Sequence, residues 1–163
     1  MHIWVDADAC PAVVREILFR AAARVECAMT LVANRPMNTP SSCRWIDSVR
    51  VADGFNVADQ TIVDSLSAGD LVITADIPLA AEVVKAGAWA LNPRGDLYTK
   101  DNVRQALAAR DLLEQLRSDG LVSGGPAPLG QPDRQRFANA LDRFLAEHSP
   151  GGSAAPVQRT SSS

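Results

Sequence analysis

Short apolar runs alternate with amphipathic stretches along the first two-thirds of the chain. The runs are short and rich in β-branched residues, as expected of strands that are buried on both faces of a parallel sheet. The stretches between them carry apolar residues at helical spacing, and Pro11, Pro78 and Gly87 stand where helices begin or end. The pattern predicts strands at residues 3–5, 28–32, 49–51, 71–74 and 88–91, and helices at 13–24, 57–66 and 79–86.

The alternation of strand and helix predicts an α/β fold. A mostly parallel central sheet with helices on both faces is a three-layer sandwich. Beyond it the pattern changes to a helix at 102–117, a segment rich in Gly and Pro, and an amphipathic helix at 134–148. We therefore expect an α/β domain at 1–117, a link and C-terminal helix at 118–148 that packs on it, and a disordered tail at 149–163. That helix can alternatively pack on a second subunit, so the sequence leaves open whether the protein is an oligomer.

Composition excludes several classes of protein. With 163 residues and 47% apolar content, the chain can bury one ordinary core, and no apolar run approaches the ~20 residues of a membrane span. The N-terminus reaches a carboxylate at Asp6 without a basic segment, so it is no secretory signal, and we expect a cytoplasmic protein. Three cysteines without CxxC spacing and two distant histidines argue against a zinc site or a histidine-based triad. The net charge of −3 does not indicate a nucleic-acid binder, although a local basic patch is compatible with it.

Aspartates gather where predicted strands end. Asp6 and Asp8 follow the first strand, Asp8 as the expected N-cap of the first helix, and Asp76 follows the strand at 71–74. Because ligands of such sheets bind outside the carboxyl ends of the strands, we expect these carboxylates to meet. Asp59 and Asp64 lie on one helix, about 500° of rotation apart, so only one of them faces this edge. Asp59 is nearer the N-terminus of the helix and is favoured.

A cluster of carboxylates is costly unless a cation neutralises it. Hard cations such as Mg²⁺ and Mn²⁺ prefer oxygen ligands, and a cation held in this way can activate water and stabilise charge on a phosphoryl group. The cluster therefore suggests phosphodiester hydrolysis. Each aspartate also has a plainer interpretation, as a turn former, a helix cap or a solvated residue in a first helical turn.

Four further residues are candidates for contacts with a phosphate-bearing substrate. The hydroxyl of Thr74 is placed to hold a phosphate or a water molecule, or simply continues its strand. Asn34, Arg35 and Arg94 lie on loops that can border the site, where such side chains contact phosphates. It is equally plausible that these three are scattered surface residues with no role at the site.

Four motifs carry a resemblance to a known family. VDADACP at 5–11, GFNVADQTIV at 54–63, GDLVITADIPLA at 69–80 and NPRG at 92–95 together resemble the bacterial YaiI/YqxD family. The resemblance covers residues 1–117 and extends through the helix to 145. That family is functionally uncharacterised, and it is placed by similarity among PIN-like domains, whose established members are Mg²⁺- or Mn²⁺-dependent ribonucleases or structure-specific nucleases.

The resemblance implies roles for individual aspartates. Asp6 matches the first-strand aspartate of PIN-like domains, Asp59 their central acidic residue, and Asp76 the acidic residue after the fourth strand. Asp8 and Asp64 have no clean counterpart. The resemblance thus implies Mg²⁺ or Mn²⁺ bound by Asp6, Asp59 and Asp76, with Asp8 as a further ligand or base, and a ribonuclease that acts on RNA.

Two alternatives to a nuclease stay open. One is a PIN-like domain that binds RNA or protein without catalysis. The other is a haloacid-dehalogenase-like phosphatase, because Asp6, Asp8, Thr74 and Lys85 occur in the order that such enzymes use. Against the phosphatase, the chain offers no well-spaced acidic pair after Lys85, and Asp59 would have no role.

Overall fold

The computed structural model describes residues 1–54, 56–124 and 128–148. Its strands are β1 (Ile3–Asp6), β2 (Met29–Ala33), β3 (Ile46–Arg50), β4 (Leu71–Ile73), β5 (Trp89–Leu91) and β6 (Leu97–Tyr98). Its helices are α1 (Ala12–Val25), α2 (Val57–Ser65), α3 (Ile77–Lys85), α4 (Lys100–Ser118) and α5 (Gln131–His148), with a single 3₁₀ turn at Ala7–Ala9. The expected tail at 149–163 lies outside the described residues.

One six-stranded sheet runs through the domain in the order β3-β2-β1-β4-β5-β6. The first five strands are parallel and β6 is antiparallel, which confirms the predicted mostly parallel sheet. The chain builds outward from β1 to β3 on one side and then continues from β4 on the other side. The order therefore reverses between β1 and β4, and in such sheets this switch point is where ligands bind.

Helices cover both faces of the sheet, and this confirms the three-layer α/β sandwich. Successive residues of a strand point to opposite faces, so Leu71 and Ile73 pack on one side of the sheet while Val72 packs on the other. Helices α1 and α5 cover the first side, and α2, α3 and α4 cover the second. The fully buried residues of the first layer include Val14, Phe137, Leu141 and Leu145 from these helices.

The edge strands differ from the prediction. The fragment predicted at 49–51 belongs to the longer β3, in which only Ile46 is buried. Strand β6 was not predicted, since it has only two residues and pairs with β5 alone. Both lie at edges of the sheet, where a strand needs little of the continuous apolar character by which a central strand is recognised.

The last helix is fastened to the loop that follows β5. Gly95 has a φ of +96°, and a Cβ added there would lie 2.8 Å from the main-chain carbonyl of Arg136 on α5. Two ion pairs flank this contact, Arg94 with Asp133 at 2.9 Å and Arg136 with Asp96 at 2.8 Å. Glycine at position 95 thus allows α5 to approach the loop closely.

Helix α4 extends well beyond its neighbour α3. A capping box between Thr99 and Asn102 starts the helix, which at 19 residues is about 28 Å long, against about 13 Å for the 9 residues of α3. The two run antiparallel, so the C-terminal half of α4 projects past the start of α3. There Leu112 and Leu113 are 61% and 41% exposed. No helix in the described part of the chain is long and apolar enough to cross a membrane.

Candidate functional site

Asp6 ends the central strand β1 at the switch point of the sheet. It is only 6% exposed, and its Oδ2 accepts a hydrogen bond of 2.9 Å from the hydroxyl of Thr74, the residue after β4. The same hydroxyl accepts a hydrogen bond of 3.0 Å from the backbone N–H of Asp76. Thr74 is 1% exposed. It therefore positions Asp6 and the chain at Asp76, and its buried hydroxyl is not presented to a substrate.

Asp76 is the N-cap of α3. Its Oδ1 accepts a hydrogen bond of 2.8 Å from the backbone N–H of Leu79, and Pro78 occupies the first turn of the helix. This bond satisfies one of the N–H groups that a helix leaves unpaired at its start. The second carboxylate oxygen of Asp76 makes no hydrogen bond within the described residues. Asp76 thus combines a structural role with an oxygen left for a ligand.

Asp8 lies in the 3₁₀ turn after β1 and is bound by the loop after β2. Its Oδ2 accepts a hydrogen bond of 2.8 Å from the backbone N–H of Asn34, and its Oδ1 lies 3.4 Å from Nε of Arg35. The expectation that Asp8 caps α1 is wrong, because the N-cap is Pro11 and no side chain bonds there. The extra turn between strand and helix carries Asp8 to the loop at Asn34 instead.

Asp59 is half-buried in the first turn of α2 and accepts no hydrogen bond among the described residues. Burial raises its pKa, and the charge of Asp76 raises it further. The pKa of Asp6 is raised to about 6, chiefly by burial, while the hydrogen bond from Thr74 opposes the rise and the charges of Asp59, Asp76 and Asp8 add to it. The carboxylates of Asp59, Asp76 and Asp8 are therefore each close enough to repel that of Asp6, and Asp76 also repels Asp59.

The donor set at this edge consists of carboxylate oxygens. No group of three or more His, Cys, Asp or Glu side chains in the described residues is arranged to hold a metal ion directly. A cation that needs few protein ligands still fits, since Mg²⁺ commonly binds through one or two carboxylates and keeps several waters. Asp6, Asp59 and Asp76 are the residues that could hold such an ion.

The remaining predicted residues divide into two groups. Arg35 and Asn34 lie beside the site through their contacts with Asp8, although both side chains are exposed. Arg94 instead contacts Asp133 of α5. Asp64 is exposed and accepts a hydrogen bond of 2.7 Å from Gln60, and its charge is not among those that raise the pKa of Asp6 or Asp59.

Two neighbouring groups argue against other catalytic chemistry. Cys10 is buried, and burial raises the pKa of its thiol to about 12, so the thiolate needed of a nucleophile is scarce. Lys85 is the last residue of α3 and lines a groove with Lys100 and Arg104. It is a helix length, about 13 Å, from the capping residue Asp76. Lys85 thus lies at the far end of α3 from Asp76, which weighs against the phosphatase arrangement.

Sequence analysis did not single out Arg110 and Arg117, which line a groove that begins at Asp76. Both lie on the projecting half of α4, and with Leu113 they share one face of that helix. The helical spacing of positions 110, 113 and 117 was the available signal. The spacing alone does not show that this face is turned toward the carboxyl edge of the sheet, because that depends on how α4 packs.

Comparison with known proteins gives one family. The model of a family described as "Uncharacterized BCR, YaiI/YqxD family" matches residues 4–147. A "UPF0178 protein" of Hahella chejuensis is 60% identical over 149 residues, which cover 91% of this chain and 99% of that protein. Another of Shewanella amazonensis is 61% identical over 146 residues, covering 90% and 97% respectively. No solved structure matches the chain.

Proposed function

The chain belongs to the YaiI/YqxD family of uncharacterised bacterial proteins, and from the chemistry of its aspartates we propose that it is a nuclease dependent on Mg²⁺ or Mn²⁺. RNA is the proposed substrate. One observation carries the proposal: Asp6 is buried at the switch point with a pKa raised to about 6, and three further carboxylates act on it. A divalent cation would offset this repulsion.

The residues divide the work at the site. Asp6 and Asp76, which Thr74 holds together, and Asp59 would bind the cation directly or through water. When bound, the cation would supply positive charge against a phosphoryl group and lower the pKa of a coordinated water. Asp8 is held by Asn34 and Arg35, and this anchoring suits a base at the rim that accepts a proton from the attacking water.

Arg35 is the cation on the substrate side of this arrangement. Its guanidinium lies 3.4 Å from Asp8 and is largely exposed, with 61% of the side chain accessible. A phosphate that approaches Asp8 would come close to this exposed group, and arginine binds phosphate in a bidentate fashion. The preference for RNA rests on the resemblance to PIN-like ribonucleases, and the site chemistry itself requires only a phosphodiester.

Calorimetric titration with Mn²⁺ tests the metal site. The wild type should bind, Asp6→Ala should lose most of the heat of binding, and Asp64→Ala should bind like the wild type. Asp64 is the matched control, because it is an aspartate of α2 that faces solvent. Loss of binding in the control, or no binding by the wild type, would overturn the metal site.

Cleavage is tested next with single-stranded and hairpin RNAs in Mn²⁺ or Mg²⁺. The wild type and Asp64→Ala should cut the RNA, whereas Asp6→Ala and Asp76→Ala should not. Tight Mn²⁺ binding without cleavage of any substrate would replace the nuclease by a non-catalytic binding domain. Stable capture of beryllofluoride on Asp6 would instead establish the phosphatase, since that enzyme forms a phosphoaspartate.

A further inference from the structure

A groove of about 660 Å³ leads from Asp76 along the projecting half of α4. Its floor is the segment between β4 and α3, its wall is α4, and its far end is the chain after α4. The residues that line it include Ala75, Asp76, Ile77, Arg110, Leu113, Arg117 and Val122. The groove thus shares Asp76 with the candidate metal site.

Two arginines face this groove from the same side of α4. Arg110 and Arg117 are seven residues apart, which is two helical turns or about 10 Å along the axis. Arg117 makes no ion pair within the described residues, whereas Arg110 pairs with Glu114 at 3.0 Å and with Asp111 at 3.3 Å. The wall therefore carries two arginines along a line that ends at Asp76. Arg110 is paired with two carboxylates, and of these Glu114 lines the groove.

The surface between the arginines is apolar. Leu113 lies between them on the same face and is 41% exposed, and Val122 lines the groove beyond it. This exposure leaves apolar surface of Leu113 open to solvent within the described residues. Charged groups alternating with apolar surface suit a nucleic-acid strand, whose phosphates are charged and whose sugars and base faces are not.

We propose that this groove binds the single-stranded nucleic acid next to the phosphate that is cleaved, with Arg110 and Arg117 on its phosphates and Leu113 against a sugar or base. The proposal rests on the nuclease function, because the groove leads to Asp76. Its volume of 660 Å³ is in the range of small-molecule pockets, roughly 300–1,000 Å³. A space of that size admits a nucleotide or two of single strand.

Glu114 makes the proposal specific. Its carboxylate occupies Arg110 and would repel a phosphate, so Glu114→Gln should tighten binding while removing an ion pair of the free protein. A purely structural role of this pair predicts the same loss of the ion pair with no change in affinity, so the affinity separates the two interpretations. If Glu114→Gln binds more tightly, the ion pair of the free protein opposes binding until a phosphate replaces the carboxylate of Glu114 beside Arg110.

The test is fluorescence anisotropy with a labelled single-stranded RNA in EDTA, where no cleavage occurs. The double variant Arg110→Gln/Arg117→Gln should bind at least ~10-fold more weakly than the wild type. The slope of log affinity against log salt should fall by about 1.4, since each phosphate contact on a single strand contributes about 0.7. Glu114→Gln should bind ~3-fold more tightly.

Arg104→Gln is the matched control. Arg104 lies on α4 but lines the groove at the other end of the helix, so the substitution removes the same charge without touching the proposed path. Its affinity should stay within ~2-fold of the wild type. Equal losses in Arg104→Gln and in either single variant, Arg110→Gln or Arg117→Gln, would overturn the proposal, and so would the absence of RNA binding by the wild type.

The outcomes separate this proposal from the nuclease itself. If the wild type cuts RNA and the double variant cuts with unchanged KM, the groove proposal is overturned and the nuclease stands. If the binding pattern holds but nothing is cut, the groove stands and the nuclease fails. Thermal melts establish that each variant is folded. Light scattering tests whether a second copy of the chain occupies this face instead. If the wild type is a dimer that the double variant loses, with unchanged RNA affinity, the face is a subunit contact and the proposal is overturned.

Discussion

Replacing Asp6 with asparagine is expected to stabilise the metal-free protein at neutral pH. The ionised carboxylate of Asp6 is buried beside three others, whereas an asparagine carries no charge and its carbonyl can still accept the hydrogen bond from Thr74. The substitution therefore removes repulsion and the desolvation of a charge while keeping the local geometry.

The magnitude follows from the pKa of Asp6. Folding raises it from 3.8 to about 6, and at roughly 1.4 kcal/mol per unit the ionised group costs about 3 kcal/mol. Because the pKa is raised by folding, Asp6 ionises first in the unfolded chain. The destabilisation caused by Asp6 is therefore absent below about pH 4, grows as the pH rises to about 6, and stays constant above that. Asp6→Asn should escape this loss, with a melting temperature about 6–12 °C higher at pH 7.5.

The assay is thermal unfolding in EDTA at pH 4.5 and at pH 7.5. Asp6→Asn should exceed the wild type clearly at pH 7.5 and by much less at pH 4.5. Asp64→Asn, an exposed aspartate of α2, is the control and should stay within about 0.5 kcal/mol at both values. Addition of Mn²⁺ should then raise the wild type and leave Asp6→Asn almost unchanged.

Two results would refute the reasoning. If Asp6→Asn is no more stable than the wild type at pH 7.5, then burial and the neighbouring charges do not destabilise the ionised carboxylate of Asp6 as inferred. If the difference is the same at both pH values, it arises from packing and not from ionisation. Either result would remove the principal support for a cation at this edge.

Three further outcomes are expected. Thr74→Val should destabilise the protein by about 2 kcal/mol in urea unfolding, because it leaves a buried oxygen of Asp6 and a backbone N–H without their partner; a change below about 0.5 kcal/mol would contradict this. Gly95→Ala should cost more than about 2 kcal/mol, because its φ is +96° and a Cβ meets the backbone of α5, and a neutral effect in the same assay would place α5 elsewhere. Cys10 should react with iodoacetamide at pH 8 far more slowly than the half-buried Cys43, since its pKa is about 12; equal rates by mass spectrometry would show that Cys10 is accessible.

The centre of the fold was predictable from the sequence, and its edges were not. Strands β2 and β4 are buried throughout, so their composition is apolar apart from Thr30 and easily recognised. Strand β3 exposes four of its five residues, and β6 has only two. At these edges pairing with one neighbour decides the structure, and such pairing leaves little trace in the composition of the strand itself.

The sequence predicted which aspartates lie at this edge of the sheet but not the hydrogen bonds that hold them there. The rule that ligands bind at the carboxyl ends of strands placed Asp6 and Asp76 at one edge. The bond between Asp6 and Thr74 depends on register, with Val5 opposite Ile73, and the apolar runs of two buried strands do not specify a register. The role of Asp8 was missed for a similar reason, because its partner Asn34 follows a different strand.

The attachment of α5 has a consequence for the synthesis of the protein. Domains commonly fold from the N-terminus as they leave the ribosome. Here one face of the sheet is covered partly by α1 and partly by α5, whose Phe137, Leu141 and Leu145 are almost completely buried. A nascent chain that has released every strand still exposes that apolar face until residues 131–148 emerge. Completion of this layer of the core therefore waits for α5, and a chain interrupted before it would present an exposed apolar surface to chaperones and proteases.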